Sequence, residues 1–399
     1  MRTSLLATSL CVTTVFAILA SEKAAGTFPG KVPAALLGKT AASGLPVAVV
    51  GLPNGAIQPQ AVADGNDVIH VVFFTGKPAG GDLYYVRLAG DGHQLSRPVR
   101  VNSIDGSALA TGSVRGAQLS LGRNRFVHVA WHGSKPADDG SKEVPMWYAR
   151  SADGVRFEPQ RGLSGQSKGL DGGSVAADRA GHVAVVWHAM GAQPGEGHRT
   201  VYIAKSSDDG ATFSAEAPTT SAPVGACGCC GMRALFDRTG ALHILYRVAT
   251  DDTRRDTAWL MIDGTTARAP VRVQPWEITT CPMTTFALAQ TGDGLAAAWE
   301  TAQQIYSASL NPKAGTVGTV AAVPGSGIRK HPSIAINASG ERLVAWTEGT
   351  AWNRGGTAAW RLTDRNGNQI GLSGDAGPVP VWGLVSAVAL GDGSFVVLR

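Results

Sequence analysis

Apolar residues recur along this chain in short paired runs, each pair joined by a turn that contains Gly or Asn. Within a run, apolar positions alternate with small or polar ones, the period-2 pattern of a half-buried β-strand. The pairs are "QPQAVADGNDVIHVVFF" (58–74), "GAQLSLGRNRFVHVAWH" (116–132), "GGSVAADRAGHVAVVWH" (172–188) and "GMRALFDRTGALHILYR" (231–247). They continue with "MTTFALAQTGDGLAAAWE" (283–300), "HPSIAINASGERLVAWTE" (331–348) and a shorter "GLVSAVALGDGSFVVLR" (383–399). The closing aromatics Phe73, Trp131, Trp187, Tyr246, Trp299 and Trp346 are separated by 58, 56, 59, 53 and 47 residues. A third strand follows most pairs, as in "EVPMWYARS" (143–151) and "HRTVYIAKS" (198–206), and then a weaker fourth.

Four short antiparallel strands repeated about every 50 residues predict an all-β fold, a β-propeller whose blades bury their faces against one another. Six units are full and the last has two strands. If "LPVAVVG" (45–51) adds outer strands to that half, the ring closes with seven blades. Six blades with an extra hairpin is the competing architecture.

The turn from third to fourth strand carries a second signature. "SSDDGATF" places Ser206, Asp208, Gly210, Thr212 and Phe213 in a Ser-x-Asp-x-Gly-x-Thr-Phe pattern, and "SADGVRF" is a shortened copy with Ser151, Asp153, Gly154 and Phe157. Fainter copies are "AGDGHQL" (89–95) and "DRNGNQI" (364–370). The Asp is placed to accept backbone N–H groups, the Gly to take positive φ and the aromatic to plug between strands. Over nearly its whole folded length the chain resembles the sialidase-like propellers with bacterial neuraminidase repeats, or Asp boxes. The motif is a turn device, so the resemblance speaks to fold before activity.

The N-terminus changes the expected compartment. Arg2 precedes an apolar run from Leu5 to Ala20, which reads as a secretory signal peptide over 1–20, followed by a loose Ala/Gly/Pro-rich leader over 21–44 and a propeller over 45–399. A periplasmic or secreted protein is expected, without an integral membrane segment once the signal is cut. Charged residues are 16% of the chain and the formal charge is +5, with no dense Lys/Arg tract, which argues against nucleic acid as a partner.

Candidate chemistry follows from the antiparallel order. Residues just before the first strand and just after the second share a rim, opposite the Asp-box turns. That rim collects Arg115, Cys227, Cys229, Cys230, Cys281, Arg329, Lys330, His331 and Trp382 at strand entrances, and His132, His188, Arg247, Glu300 and Glu348 at strand ends. Cys227, Cys229 and Cys230 open the fourth unit and Cys281 the fifth, so their sulfurs are expected to converge, with His331 opening the next. Two ordinary disulfides are difficult for such crowding. A soft-metal site of Cys227, Cys229, Cys230, Cys281 and His331 is the leading reading, with copper favoured and zinc as alternative. One structural disulfide with leftover thiols, or a redox-active pair, stays open. His70, His128 and His243 recur at one strand position and are expected to be structural.

The resemblance implies a second class of function. Sialidases use three arginines, a Tyr–Glu nucleophile pair and an Asp acid/base. Here only Arg115, Arg247 and Arg329 offer themselves as a trio, no Arg-Ile-Pro entry is present, and Tyr306 lies in an ordinary third strand. Glu300 and Glu348, with Arg329, form the alternative catalytic set for an exo-acting glycoside hydrolase. The third possibility is a metal-free platform for a protein or glycan partner.

Overall fold

Each repeat folds into its own small sheet, and seven such sheets are present in the computed structural model. Residues 36–37, 47–53, 55–112, 115–135, 144–221, 224–251, 253–371 and 373–399 are described. The expected signal peptide (1–20) and nearly all of the expected leader (21–44) lie outside them. The strands nearest the axis are Ile57–Ala63, Gln118–Leu121, Asp171–Ala177, Arg233–Phe236, Phe286–Gln290, Arg329–Ile336 and Ser386–Ala389, for blades one to seven. Each touches the next and the seventh returns to the first, so the ring is closed. Six sheets are wholly antiparallel, in the order first, second, third, fourth strand.

Blade seven is built from N-terminal and C-terminal segments together, as the apolar run at 45–51 suggested. Ser386–Ala389 and Phe395–Leu398 are joined by Val47–Val50, and Leu36–Leu37 adds the outer edge. One pair departs from the antiparallel rule: Val47–Val50 runs parallel to Phe395–Leu398, Val47 facing Phe395. Connectivity explains it. After Val50 the chain has six residues in which to reach Ile57, where blade one starts on the rim at which Leu398 ends. An antiparallel strand there would finish at the opposite rim.

Burial follows the blade interfaces. Seven apolar clusters lie between neighbouring blades. The closing aromatics Trp131, Trp187, Tyr246 and Trp299 are fully buried in them. The Asp boxes are also interface devices. Asp208 Oδ1 accepts from Thr212 N–H at 2.9 Å, Oδ2 from the Thr212 hydroxyl at 2.7 Å, and Ser206 Oγ accepts from Gly210 N–H at 2.9 Å. This aims Phe213 edge-on at Tyr148 of the preceding blade, with ring centroids 4.8 Å apart. Gly210 has φ +72°, and a Cβ there would lie 1.9 Å from the Tyr148 hydroxyl, so both backbone and space require glycine. The shorter box repeats the device, Asp153 Oδ1 accepting from Val155 N–H at 2.7 Å and Phe157 meeting Tyr85 at 5.6 Å. The recurrent histidines anchor those aromatics. His70 meets the Tyr85 hydroxyl at 2.6 Å, His128 that of Tyr148 at 2.7 Å, and His243 accepts from Trp259 Nε1 at 3.0 Å.

Candidate metal centre at the channel rim

The cysteine loop is a single tight turn. Cys230 N–H donates to the Cys227 carbonyl at 3.3 Å, folding Cys227-Gly228-Cys229-Cys230 back on itself. The three sulfurs consequently lie within 4.8 Å of one another, and those of Cys227 and Cys229 are 3.2 Å apart. Cys227 and Cys230 are buried in the apolar cluster between blades four and five, while Cys229 is half-buried. The turn is pinned on all sides. Cys227 N–H donates to the Arg247 carbonyl at 2.9 Å, Gly231 N–H to the Thr284 carbonyl at 3.0 Å, and Gly228 N–H to Glu196 Oε1 at 2.6 Å. His188 Nε2 donates to the Cys230 carbonyl at 3.0 Å, and its Nδ1 accepts from Arg199 at 2.9 Å. Burial pushes His188 down to about 4, so it is neutral in this role.

The electrostatics favour an anion at Cys230. Burial alone would raise its pKa, but donation from Cys227 and Cys229, the nearby Arg247 guanidinium and the Thr284 N–H hold the thiol well below its ordinary range. The other two are pushed the opposite way. Cys227 is lowered by its contact with Cys229, yet the Cys230 contact and burial outweigh this and take it up to about 12. Cys229 is raised by its contacts with Cys227 and Cys230. Among the three sulfurs the anion is therefore favoured at Cys230. Arg247 is fully buried, its guanidinium 4.9 Å from the Trp276 ring centroid and 5.3 Å from that of Phe286, and it donates to Arg255 O and Thr257 Oγ1. Arg199 lies on the Cys227 and Cys229 side.

Two of the expected ligands stand apart. The entrances of blades four and five do meet, through Gly231 and Thr284, but Cys281 is three residues further out. It is exposed and outside the compact sulfur group. An extended residue advances at most about 3.5 Å, and Pro282 with left-handed Met283 (φ +46°) turns the chain between Cys281 and the contact. His331 is buried under the rim, neutral, with no partner for Nδ1, and is likewise not in the sulfur group.

No protein-family model matches this chain, and no curated protein matches it. Solved structures do. One is a protein of unknown function from Dyadobacter fermentans, 14% identical, covering 86% of this chain and 98% of that one with a TM-score of 0.53. A second is the Penicillium chrysogenum α-L-arabinanase, 12% identical, covering 84% and 99% with a TM-score of 0.52. A third is the NanB sialidase of Streptococcus pneumoniae, 10% identical, covering 89% and 83% with a TM-score of 0.52. What this chain shares with them is the β-propeller fold. At these identities the likeness extends to architecture alone.

Set against that fold, the three candidate arginines are engaged elsewhere. Arg115 pairs with Asp171 at 2.6 Å. Arg247 is buried beside the thiols. Arg329 pairs with Glu348 at 2.9 Å and donates to the Val323 and Pro324 carbonyls, lining a lateral groove between blades five and six. Glu348 also accepts from Trp346 Nε1 at 2.9 Å. Glu300 is buried with its pKa raised by burial, Oε1 accepting from Gln303 N–H at 2.5 Å and Oε2 unpartnered. His132 is half-buried, and its Nε2 donates to the Leu170 carbonyl at 3.1 Å.

Sequence reasoning passed over Glu196 and Arg199, which sit in the connection after the second strand of blade three. Their signal, a charged pair in a Gly-rich loop, is indistinguishable from solvated surface until the loop is seen against the thiols. It also passed over a backbone regularity. Gln58, Gly172, Met283, His331 and Trp382 all have positive φ at the entrance of an axial strand, so left-handed residues ring the channel mouth.

Proposed function

We propose that this is an exported, sialidase-like propeller that binds a soft metal ion, copper(I), at the thiols of Cys227, Cys229 and Cys230. The observation that carries this reading is the sulfur trio itself, three donors within 4.8 Å on one tight turn. Metal–sulfur distances of about 2.3 Å require sulfurs roughly 4 Å apart, which a small rotation of each side chain supplies. Charge supports a monovalent ion. Three thiolates, one Cu(I) and the guanidiniums of Arg199 and Arg247 sum to zero, and a buried cluster with no net charge avoids the penalty for an uncompensated ion. Zinc would leave one positive charge. Thiolate softness also favours copper(I).

Anaerobic loading with copper(I), followed by competition with bicinchoninate, tests the proposal. The expected result is one ion per chain, retained in Cys281→Ser and bound at least 100-fold more weakly in Cys230→Ser. Absence of bound copper in the unaltered protein, or an unchanged affinity in Cys230→Ser, overturns it. A glycoside hydrolase remains the second reading, supported by the raised pKa and unpartnered oxygen of Glu300, features of a general acid. Hydrolysis of a fluorogenic sialoside, abolished in Glu300→Gln, would move the function there.

A further inference from the structure

The channel along the propeller axis holds an unneutralised cation. Arg233, in the axial strand of blade four, reaches across to two other blades. Its Nη1 donates to Gln60 Oε1 at 3.1 Å and to Gln118 Oε1 at 2.7 Å. Among the described residues, no carboxylate lies within ion-pair distance of this guanidinium, and no Asp or Glu lines the cavity it faces. The Nε–H and Nη2–H groups point along one edge of the fork and have no protein acceptor among the described residues. The guanidinium also fixes the amide orientations, both carbonyl oxygens being turned to Nη1. Burial lowers the Arg233 pKa to about 10, still far above neutrality, so the charge stays.

The cavity has a volume of about 330 Å³, at the lower end of the range of small-molecule sites. Its wall is mixed: the apolar residues Leu235, Leu288, Ile336 and Val388 line it beside the polar residues Gln290, Ser333 and Ser386. An inorganic oxyanion would satisfy the fork and leave the apolar part of the wall wet. A carboxylate with a short hydrocarbon tail satisfies both, the planar fork taking the two oxygens side by side and the tail covering the wall.

We propose that the axial channel is a binding site for a small organic carboxylate, held by the Nε/Nη2 edge of Arg233. It is separate from the sulfur trio and from the Arg115, Arg247 and Arg329 set, each of which is engaged elsewhere. A purely structural brace between blades four, one and two would need only Nη1.

Calorimetric titration of the full chain with sodium butyrate, at constant ionic strength in chloride, tests this. Acetate, inorganic phosphate and sulfate are the comparison ligands. The expected result is saturable binding of one butyrate per chain, tighter than acetate, phosphate or sulfate, and at least tenfold weaker in Arg233→Gln. Because loss of the brace could unfold that variant, Gln118→Glu provides an independent reading. Its built-in carboxylate should pair with Arg233 at Nη1, raise the thermal midpoint and, by neutralising the guanidinium, weaken butyrate binding at least tenfold. The proposal falls if butyrate does not bind, if phosphate or sulfate binds as tightly as butyrate, or if Gln118→Glu leaves butyrate affinity unchanged.

Discussion

His128 shows how a single side chain ties chemistry to the interior of a blade. It is fully buried, its Nδ1 meets the Tyr148 hydroxyl, and burial pushes its pKa down to about 4. The unfolded chain binds the proton near pH 6.5 and the folded one only near 4, so protonation favours unfolding between those values. The stabilising contribution is complete above about pH 6.5 and is lost as pH falls toward 4, on the order of 3 kcal/mol in all. His128→Gln should therefore flatten the acid side of the stability profile, read from urea midpoints between pH 7 and 4. An unchanged slope would mean that His128 is not charged on unfolding. The alternation pattern and the recurrence at positions 70, 128 and 243 gave this role away in the sequence. The partner, a third-strand aromatic in the same blade, was not legible, because register between strands is a tertiary property.

At the scale of elements, the closing blade is where the ring is most exposed to damage. Val47 and Val50 are fully buried and Val49 nearly so. At about 1.5–3 kcal/mol for each buried Val, the strand contributes roughly 5–9 kcal/mol, comparable with the whole stability of an ordinary domain. Without it, the outer edge of Phe395–Leu398 has no pairing partner, and such an edge templates aggregation. A chain beginning at residue 52 should lose its cooperative thermal transition and its near-ultraviolet dichroism. Melting at the midpoint of the longer chain would show that closure does not depend on this strand. That "LPVAVVG" completes the seventh blade was readable from its apolar run. Its parallel direction was not, since direction depends on the rim where the next strand must begin.

For the molecule as a whole, the four cysteines among the described residues divide into two populations. Cys281 is exposed, whereas Cys227 and Cys230 are inside the interface of blades four and five. With a maleimide reagent, the folded protein should label Cys281 first and the trio at least tenfold more slowly, with all four equal after denaturation. Peptide mass mapping reads the order. Comparable rates at Cys281 and Cys230 in the folded protein would place the trio at the surface. Among the described residues no helix is long and apolar enough to cross a membrane. Charged side chains also pair locally across the fold, as Arg115 with Asp171 and Arg255 with Glu196.

The sequence by itself determined the propeller architecture, and the closed ring settled the blade count at seven. Hydrophobic alternation and the Asp-box turn are local, repeat along the chain and admit few folds, and they also brought the entrances of blades four and five together correctly. The tertiary structure decided the chemistry. A shift of three residues leaves Cys281 in solvent while the trio is buried, and a guanidinium from blade four is set among amides of blades one and two. Which side chains meet across a ring depends on register and on the distance over which a few residues can reach, and neither quantity is written in the spacing of a repeat.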